Sequence, residues 1–183
     1  MRVIAGAARG RKLVCPSGNH TRPTTDRIKE TLFNILQTEI PGAEFLDLYS
    51  GSGGIGIEAL SRGCSQCVFV DNNREAVRCI LSNLKSTGFL GQSEVLAVDV
   101  RQAVKKLENN HRSFDVIFMD PPYHKDFEAD ILSFLVHSSL VQKGTLMIAE
   151  TSLDTDISYM EEYPCSIERV KEYKTNRHVF LRM

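Results

Sequence analysis

The stretch Asp47-Leu48-Tyr49-Ser50-Gly51-Ser52-Gly53-Gly54-Ile55-Gly56 leaves an apolar run and leads directly into the helix-forming Glu58-Ala59-Leu60. Glycines at such a turn let the backbone approach a ligand closely at a helix N-terminus. The spacing of Gly51, Gly53 and Gly56 satisfies GxGxxG, and Asp71 closes the next apolar run, where a ribose-binding acid is expected. The segment therefore predicts a strand, a ligand loop and a helix, the opening unit of a doubly wound α/β sheet.

Outward from this loop, apolar strands alternate with helical patterns, as in a parallel sheet covered by helices on both faces. Strands are expected at Glu44 to Tyr49, Gln66 to Asp71, Ser93 to Val98, Phe114 to Asp120 and Gly144 to Glu150. Residues Asn73 to Ser86 place Ala76, Val77, Ile80, Leu81 and Leu84 on one stripe at helical spacing, which marks a core-facing helix. After Pro164 the pattern alternates through Ile167, Val170 and Tyr173, then Val179 and Leu181, around a turn near Lys174 to Asn176; this predicts a closing antiparallel hairpin. On the amino-terminal side, Arg2 to Ala5 and Lys12 to Cys15 predict a short hairpin joined through Gly6 and Gly10. A helix over Thr24 to Gln37 follows, capped by Thr24 or Thr25, with Ile28, Leu32, Ile35 and Leu36 inward.

The glycine loop alone suits a dinucleotide as well as S-adenosylmethionine. Asp47 favours the second, because a strand-end carboxylate can face the ammonium of a methionyl group and would repel a pyrophosphate. Asp71 would accept from ribose hydroxyls. Asp99, after the third strand, is placed to accept from an adenine amino group or, alternatively, to cap the helix Val100 to Leu107. The candidate cofactor set is Asp47, Ser50, Gly51, Gly53, Asp71, Asn72, Asp99, Val100 and Asp120.

Asp120-Pro121-Pro122-Tyr123 ends the fourth strand, on the edge where open sheets bind ligands. Each proline fixes its φ and removes an N–H, so the turn can offer carbonyl oxygens with no competing donor nearby. That suits a base amino group, whose lone pair is delocalised into the ring. Accepting both amino hydrogens, on the Asp120 carboxylate and the Pro121 carbonyl, would localise the lone pair for attack on a methyl group. Tyr123 would stack on the base. Catalysis would rest on positioning, with no metal and no covalent intermediate, and the base would have to be unpaired or flipped to reach the pocket.

The whole chain of 183 residues carries a net charge of only −1, yet residues 1 to 30 hold seven basic side chains (Arg2, Arg9, Arg11, Lys12, Arg22, Arg27, Lys29) against Asp26 and Glu30. This basic arm predicts contact with a polyanion, with Arg9, Arg11, Lys12, Arg22 and Arg27 as candidates for RNA phosphates. Five cysteines form an odd set, and no signal-like apolar segment opens the sequence, which points to a reducing cytoplasm. No run reaches the roughly 18 apolar residues of a membrane span. The five histidines show no metal-ligand spacing and read as surface or capping residues.

These residues resemble the RsmD-type bacterial 16S ribosomal RNA guanine-N2 methyltransferases. The resemblance runs nearly end to end. It rests on Arg2-Val-Ile-Ala-Gly6 with Arg9-Gly-Arg-Lys12, on Arg22-Pro-Thr-Thr-Asp-Arg27 with Glu30-Thr-Leu-Phe-Asn34, on the glycine loop, on Glu58-Ala-Leu-Ser-Arg-Gly63 and on Asp120 to Tyr123. It implies a class I S-adenosylmethionine-dependent methyltransferase: a Rossmann-like α/β fold with a seven-stranded sheet, mostly parallel and ending in an antiparallel hairpin. One domain is expected over 1–183, with a basic hairpin and helix extension over 1–40 and the catalytic core over 41–183. It also implies methylation of a guanine N2 amino group in 16S ribosomal RNA, within the small subunit or an assembly intermediate, by a monomer. A DNA adenine-N6 methyltransferase would share the tetrapeptide but usually carries a target-recognition region for which this chain is short. An oxidoreductase would leave Asp47 and Asp120 to Tyr123 without a purpose. A non-catalytic RNA-binding module would bind cofactor without turnover.

Overall fold

The computed structural model describes residues 1–16, 25–121 and 127–183. Seven strands form one sheet: β1 (Glu44–Leu48), β2 (Gln66–Val70), β3 (Ser93–Leu96), β4 (Val116–Met119), β5 (Leu146–Ser152), β6 (Ser166–Glu172) and β7 (Asn176–Arg182). Their order is β3-β2-β1-β4-β5-β7-β6. The first five run parallel, and β7 lies antiparallel between β5 and the edge strand β6. The central strands are buried on both faces and so read as continuous apolar runs. Because the order reverses between β1 and β4, the loops leaving them splay apart and open a crevice at the carboxyl edge.

Five helices flank the sheet: α1 (Asp26–Ile35), α2 (Gly54–Ser61), α3 (Arg74–Thr87), α4 (Val100–Asn109) and α5 (Phe127–Val136). Strand alternation sorts the core into two layers. Phe45, Phe69, Phe118, Ile148 and Phe180 pack with Leu32 and Phe33 of α1 and with α2 and α3. Leu46, Val68, Ile117, Met147 and Leu181 pack with α4 and α5. Val3, Ala8 and Leu13 of the amino-terminal segment belong to the first layer, so the extension shares its core with the sheet. No described helix is long and apolar enough to cross a membrane.

Three local expectations need correction. In α3, Leu81 is 45% exposed, whereas Ala76, Cys79, Ile80, Asn83 and Leu84 face inward. The inward stripe admits a polar residue because Asn83 is fully satisfied: its Nδ2 donates to Val14 O (2.8 Å) and Ser52 O (2.9 Å), and its Oδ1 accepts from Val14 N (2.8 Å). The amino-terminal hairpin forms over a shorter stretch than expected: Arg2 lies opposite Lys12, and the arms are joined by Leu13 N to Met1 O (3.1 Å), Val3 N to Arg11 O (2.9 Å) and Gly10 N to Val3 O (2.9 Å). Its ladder stops because the N–H groups of Ile4 and Ala5 donate to the Glu58 carboxylate instead, at 2.8 and 3.0 Å. In α1, Lys29 and Phe33 join Leu32 and Leu36 inside, and Ile28 and Ile35 are half-buried. The carboxyl-terminal hairpin forms as expected. Its register shifts between Ile167 and Arg169, which accounts for the three-residue step from Ile167 to Val170.

Candidate active site

The glycine loop leaves β1 through Tyr49, whose φ of +62° is uncommon for a non-glycine residue. Ser50 holds this turn against the neighbouring strand: its Oγ donates to Asp47 O at 2.6 Å and accepts from Val70 N at 3.0 Å. Gly53 (φ +75°) then starts α2. Gly56 is required for close packing, since a Cβ there would lie 2.4 Å from the Phe69 ring and 2.6 Å from Cys67 Sγ. A side chain would push α2 off β2 and open the loop.

Asp47 is buried beneath the loop, and its Oδ2 accepts from Gly56 N at 3.0 Å. Burial, opposed by that hydrogen bond and reinforced by the nearby charge of Asp71, pushes its carboxyl up to about 7. Asp71, at the end of β2, is half-buried. Its Oδ2 accepts from Gly51 N (2.8 Å) and its Oδ1 from Asn73 N (2.8 Å). Each carboxylate oxygen retains a further lone pair for a ligand hydroxyl.

The loop thus sits on two carboxylates. A Cβ built at Gly51 would meet no atom within 4 Å, so the backbone is open on that side. Such a donor and acceptor set suits a ligand bearing an ammonium and hydroxyls, as S-adenosylmethionine does, and disfavours a pyrophosphate.

The other cofactor candidates divide. Asp99 is exposed and caps α4, its Oδ1 accepting from Arg101 N at 2.9 Å. Val100 points into the core under α4, leaving only its backbone for a ligand. Asn72 is exposed, and the cap of α3 is its neighbour Asn73.

Asp120 follows β4, where Met119 pairs with Leu48 of β1 on one side and Ala149 of β5 on the other. Alternation from Val116 and Phe118 puts Asp120 on the same sheet face as Asp47, one strand away, at the rim of the crevice. Asp120 is half-buried and Pro121 buried. Pro122, Tyr123 and Arg22 lie outside the described residues.

In the basic arm, Arg9, Arg11, Lys12 and Arg27 are exposed, and none forms an ion pair with a described residue. Lys29 is different. It is wholly buried, donates to Arg2 O at 2.7 Å and lies 3.4 Å from Glu58, which also pairs with Arg62 at 2.8 Å. Burial lowers the Lys29 pKa even against the pull of Glu58. Lys29 is therefore part of the joint between α1 and the loop helix α2, not an arm charge. Its place in the pattern Lys29, Leu32, Phe33, Leu36 is the signal that marks it as inward. Arg2 pairs with Asp26 at 3.0 Å.

A second polar group lies under the hairpin. His178, read from sequence as a surface or capping residue, is fully buried. Its Nε2 lies 3.0 Å from Glu150 Oε2 and its Nδ1 3.2 Å from Tyr173 Oη, and its ring meets Phe118 edge-on at 5.8 Å. Asn176 Nδ2 donates to Glu150 Oε1 at 2.6 Å. The pairing of β5 with β7 brings Glu150 to Asn176 and His178, and the turn between β6 and β7, where Tyr173 N donates to Asn176 O at 2.8 Å, adds Tyr173.

A reversed parallel sheet, a glycine loop over two carboxylates and an aspartate at the end of β4 define a class I S-adenosylmethionine-dependent methyltransferase. The family described as "Conserved hypothetical protein 95" matches residues 1–182, and the chain belongs to it. The Ribosomal RNA small subunit methyltransferase D of Haemophilus influenzae is 35% identical over 164 residues, covering 89% of this chain and 84% of that protein. Its namesake in Escherichia coli K12 is 31% identical over 157 residues, covering 86% and 77%. Among solved structures, a hypothetical protein from Thermus thermophilus superposes with a TM-score of 0.86 at 30% identity, over 100% of this chain and 99% of that one.

Proposed function

We propose that the chain transfers a methyl group from S-adenosylmethionine to the exocyclic N2 amino group of a guanine in 16S ribosomal RNA, in the small subunit or an assembly intermediate. The observation that carries this reading is the position of Asp120. It stands at the rim of the crevice, one strand from the loop that sits on Asp47 and Asp71. The relatives' names supply the nucleic-acid class: both are small-subunit ribosomal RNA methyltransferases.

In this reading the Asp47 carboxylate faces the ammonium of the cofactor through the loop, and Asp71 accepts from its ribose hydroxyls. Ser50, Gly51, Gly53, Asn72, Asp99 and Val100 line the remaining cofactor path. The bound cofactor supplies an electrophilic methyl on a sulfonium. Asp120, with the Pro121 carbonyl, accepts the two amino hydrogens of the target and aims its lone pair. Tyr123 is assigned the stacking on the base and Pro122 is kept with it in the tetrapeptide, both from sequence alone. Arg9, Arg11, Lys12 and Arg27, with Arg22, hold RNA phosphates around a flipped base. The enzyme works as a single-domain monomer in the cytoplasm, and no metal takes part.

The test is transfer of labelled methyl to unmodified small subunits, naked ribosomal RNA and DNA. Label entering ribosomal RNA, free or assembled, is the expected result. Label entering only DNA would move the assignment to a DNA methyltransferase that uses the same aspartate, and cofactor binding without label in any acceptor would leave a non-catalytic module.

A further inference from the structure

The Glu150 cluster lies beside the site, on its face of the sheet. Met119 pairs with Ala149, so Asp120, just past β4, is level with Glu150 of β5, which runs on to Ser152. Glu150 pairs with His178 and Ser152 with Asn176, which puts Asn176 one step nearer the rim than the contact between Glu150 and His178. By alternation Asn176, His178 and Phe180 share the face that carries Phe118 and Asp120.

The amide of Asn176 has a fixed orientation. Its partner at 2.6 Å is a carboxylate oxygen, to which only the NH2 group can donate. The carbonyl oxygen must then diverge from Glu150. Asn176 is only 5% exposed, and this Oδ1 has no hydrogen-bond partner among the described residues. A buried acceptor left unpaired costs about 1–3 kcal/mol, so a fold that orients one this firmly, through Glu150 and His178, invites a donor from outside the fold. Stability alone gives no reason for the arrangement, since an apolar cluster at this position would serve as well.

From these observations, and resting on the guanine-N2 reading above, we propose that Asn176 is a specificity-determining residue: its Oδ1 accepts the N1–H of the target guanine while Asp120 holds the adjacent amino group. Strands β4 and β7 flank β5, so their backbones stand roughly 10 Å apart, a gap that two short side chains and the edge of a base can span. N1–H and the N2 amino group are neighbouring donors on one edge of guanine. Adenine presents an acceptor at N1 and would leave the Asn176 oxygen unpaired. Glu150 and His178 act as positioning residues that lock the amide.

The test uses two small-subunit RNAs that differ at one position, guanine in one and 2-aminopurine in the other. 2-Aminopurine keeps the 2-amino acceptor but has no N1–H. Wild-type protein should favour guanine in kcat/KM by at least about 30-fold. In the Asn176→Ala variant, loss on guanine should bring that ratio to within a few-fold of one. The ratio is independent of the fraction of active protein, so partial misfolding does not distort it. Wild-type ratios near one, or an Asn176→Ala variant that keeps the wild-type ratio, would overturn the proposal. If Asn176→Ala does not fold, Asn176→Leu, which fills the same space without an acceptor, is read for the same loss of the ratio. Absence of methyl transfer to the guanine RNA by wild-type protein would instead defeat the underlying reading.

Discussion

Asp47 and Asp120 stand on neighbouring strands and answer to different measurements. Asp120 is a catalytic residue in the proposal, so Asp120→Ala should cut turnover about 10²- to 10³-fold while the melting temperature stays close to wild type. Methylation at the wild-type rate would remove it from the chemistry. Asp47 is tested by pH. Its folded carboxyl is raised from 3.8 to about 7, so between those values the folded protein holds a proton that the unfolded chain releases. Its contribution to stability therefore falls as pH rises from about 4 to about 7 and is flat above. Without cofactor, Asp47→Asn should be more stable than wild type at pH 8, by up to about 4 kcal/mol, and the difference should vanish toward pH 4. Cofactor binding has the opposite dependence, because an ammonium needs the charged acid. Wild-type affinity should weaken as pH drops below 7, and that of Asp47→Asn should be lower and flat. Titration calorimetry across pH 5.5 to 8.5 would decide, and a wild-type affinity independent of pH would break the ammonium pairing.

Between elements, the joint of α1 with α2 is the feature that ties the extension to the cofactor loop. Glu58 accepts from Ile4 N, Ala5 N and Arg62 and lies beside Lys29, so removing its carboxylate strands two backbone donors and a buried cation at once. Glu58→Leu should cost about 3–5 kcal/mol, and Lys29→Met clearly less, because Glu58 would keep Arg62 and two N–H donors. Equal losses in denaturant unfolding would show that the lysine, not the carboxylate, organises the joint. The sequence made the parallel strands and the loop plain, since buried strands are continuous apolar runs and the glycine spacing is local. It hid Lys29 behind its charge, and it hid His178 because burial of a histidine depends on Glu150 from a strand 28 residues away. The inward turn of Asn83 was hidden likewise: its partners Val14 and Ser52 come from two separate segments. Leu81 lies on the outer flank of α3, because apolar character alone does not decide which flank of a helical stripe meets the sheet.

At the scale of the whole molecule, a chain of net charge −1 meets a polyanion only through an uneven surface. Arg9, Arg11, Lys12 and Arg27 remain exposed after Lys29 is buried and Arg2 paired. Charge reversal at Arg9 and Arg11 should weaken RNA binding and reduce the slope of log Kd against log salt by about two counterions' worth. An unchanged slope would place the RNA on another face. In the proposal the site is spread over one edge of the fold: cofactor loop from β1, acid from β2, target aspartate from β4 and amide from β7. The same fold with other rim residues would carry other acceptors, so the acceptor atom is the claim most worth measuring. Small subunits incubated with the protein and labelled S-adenosylmethionine should be digested to nucleosides and resolved by mass spectrometry. Label in N2-methylguanosine is the predicted result; label in N6-methyladenosine, or on a ring nitrogen of guanosine, would contradict the account of Asp120 and the amino group it holds.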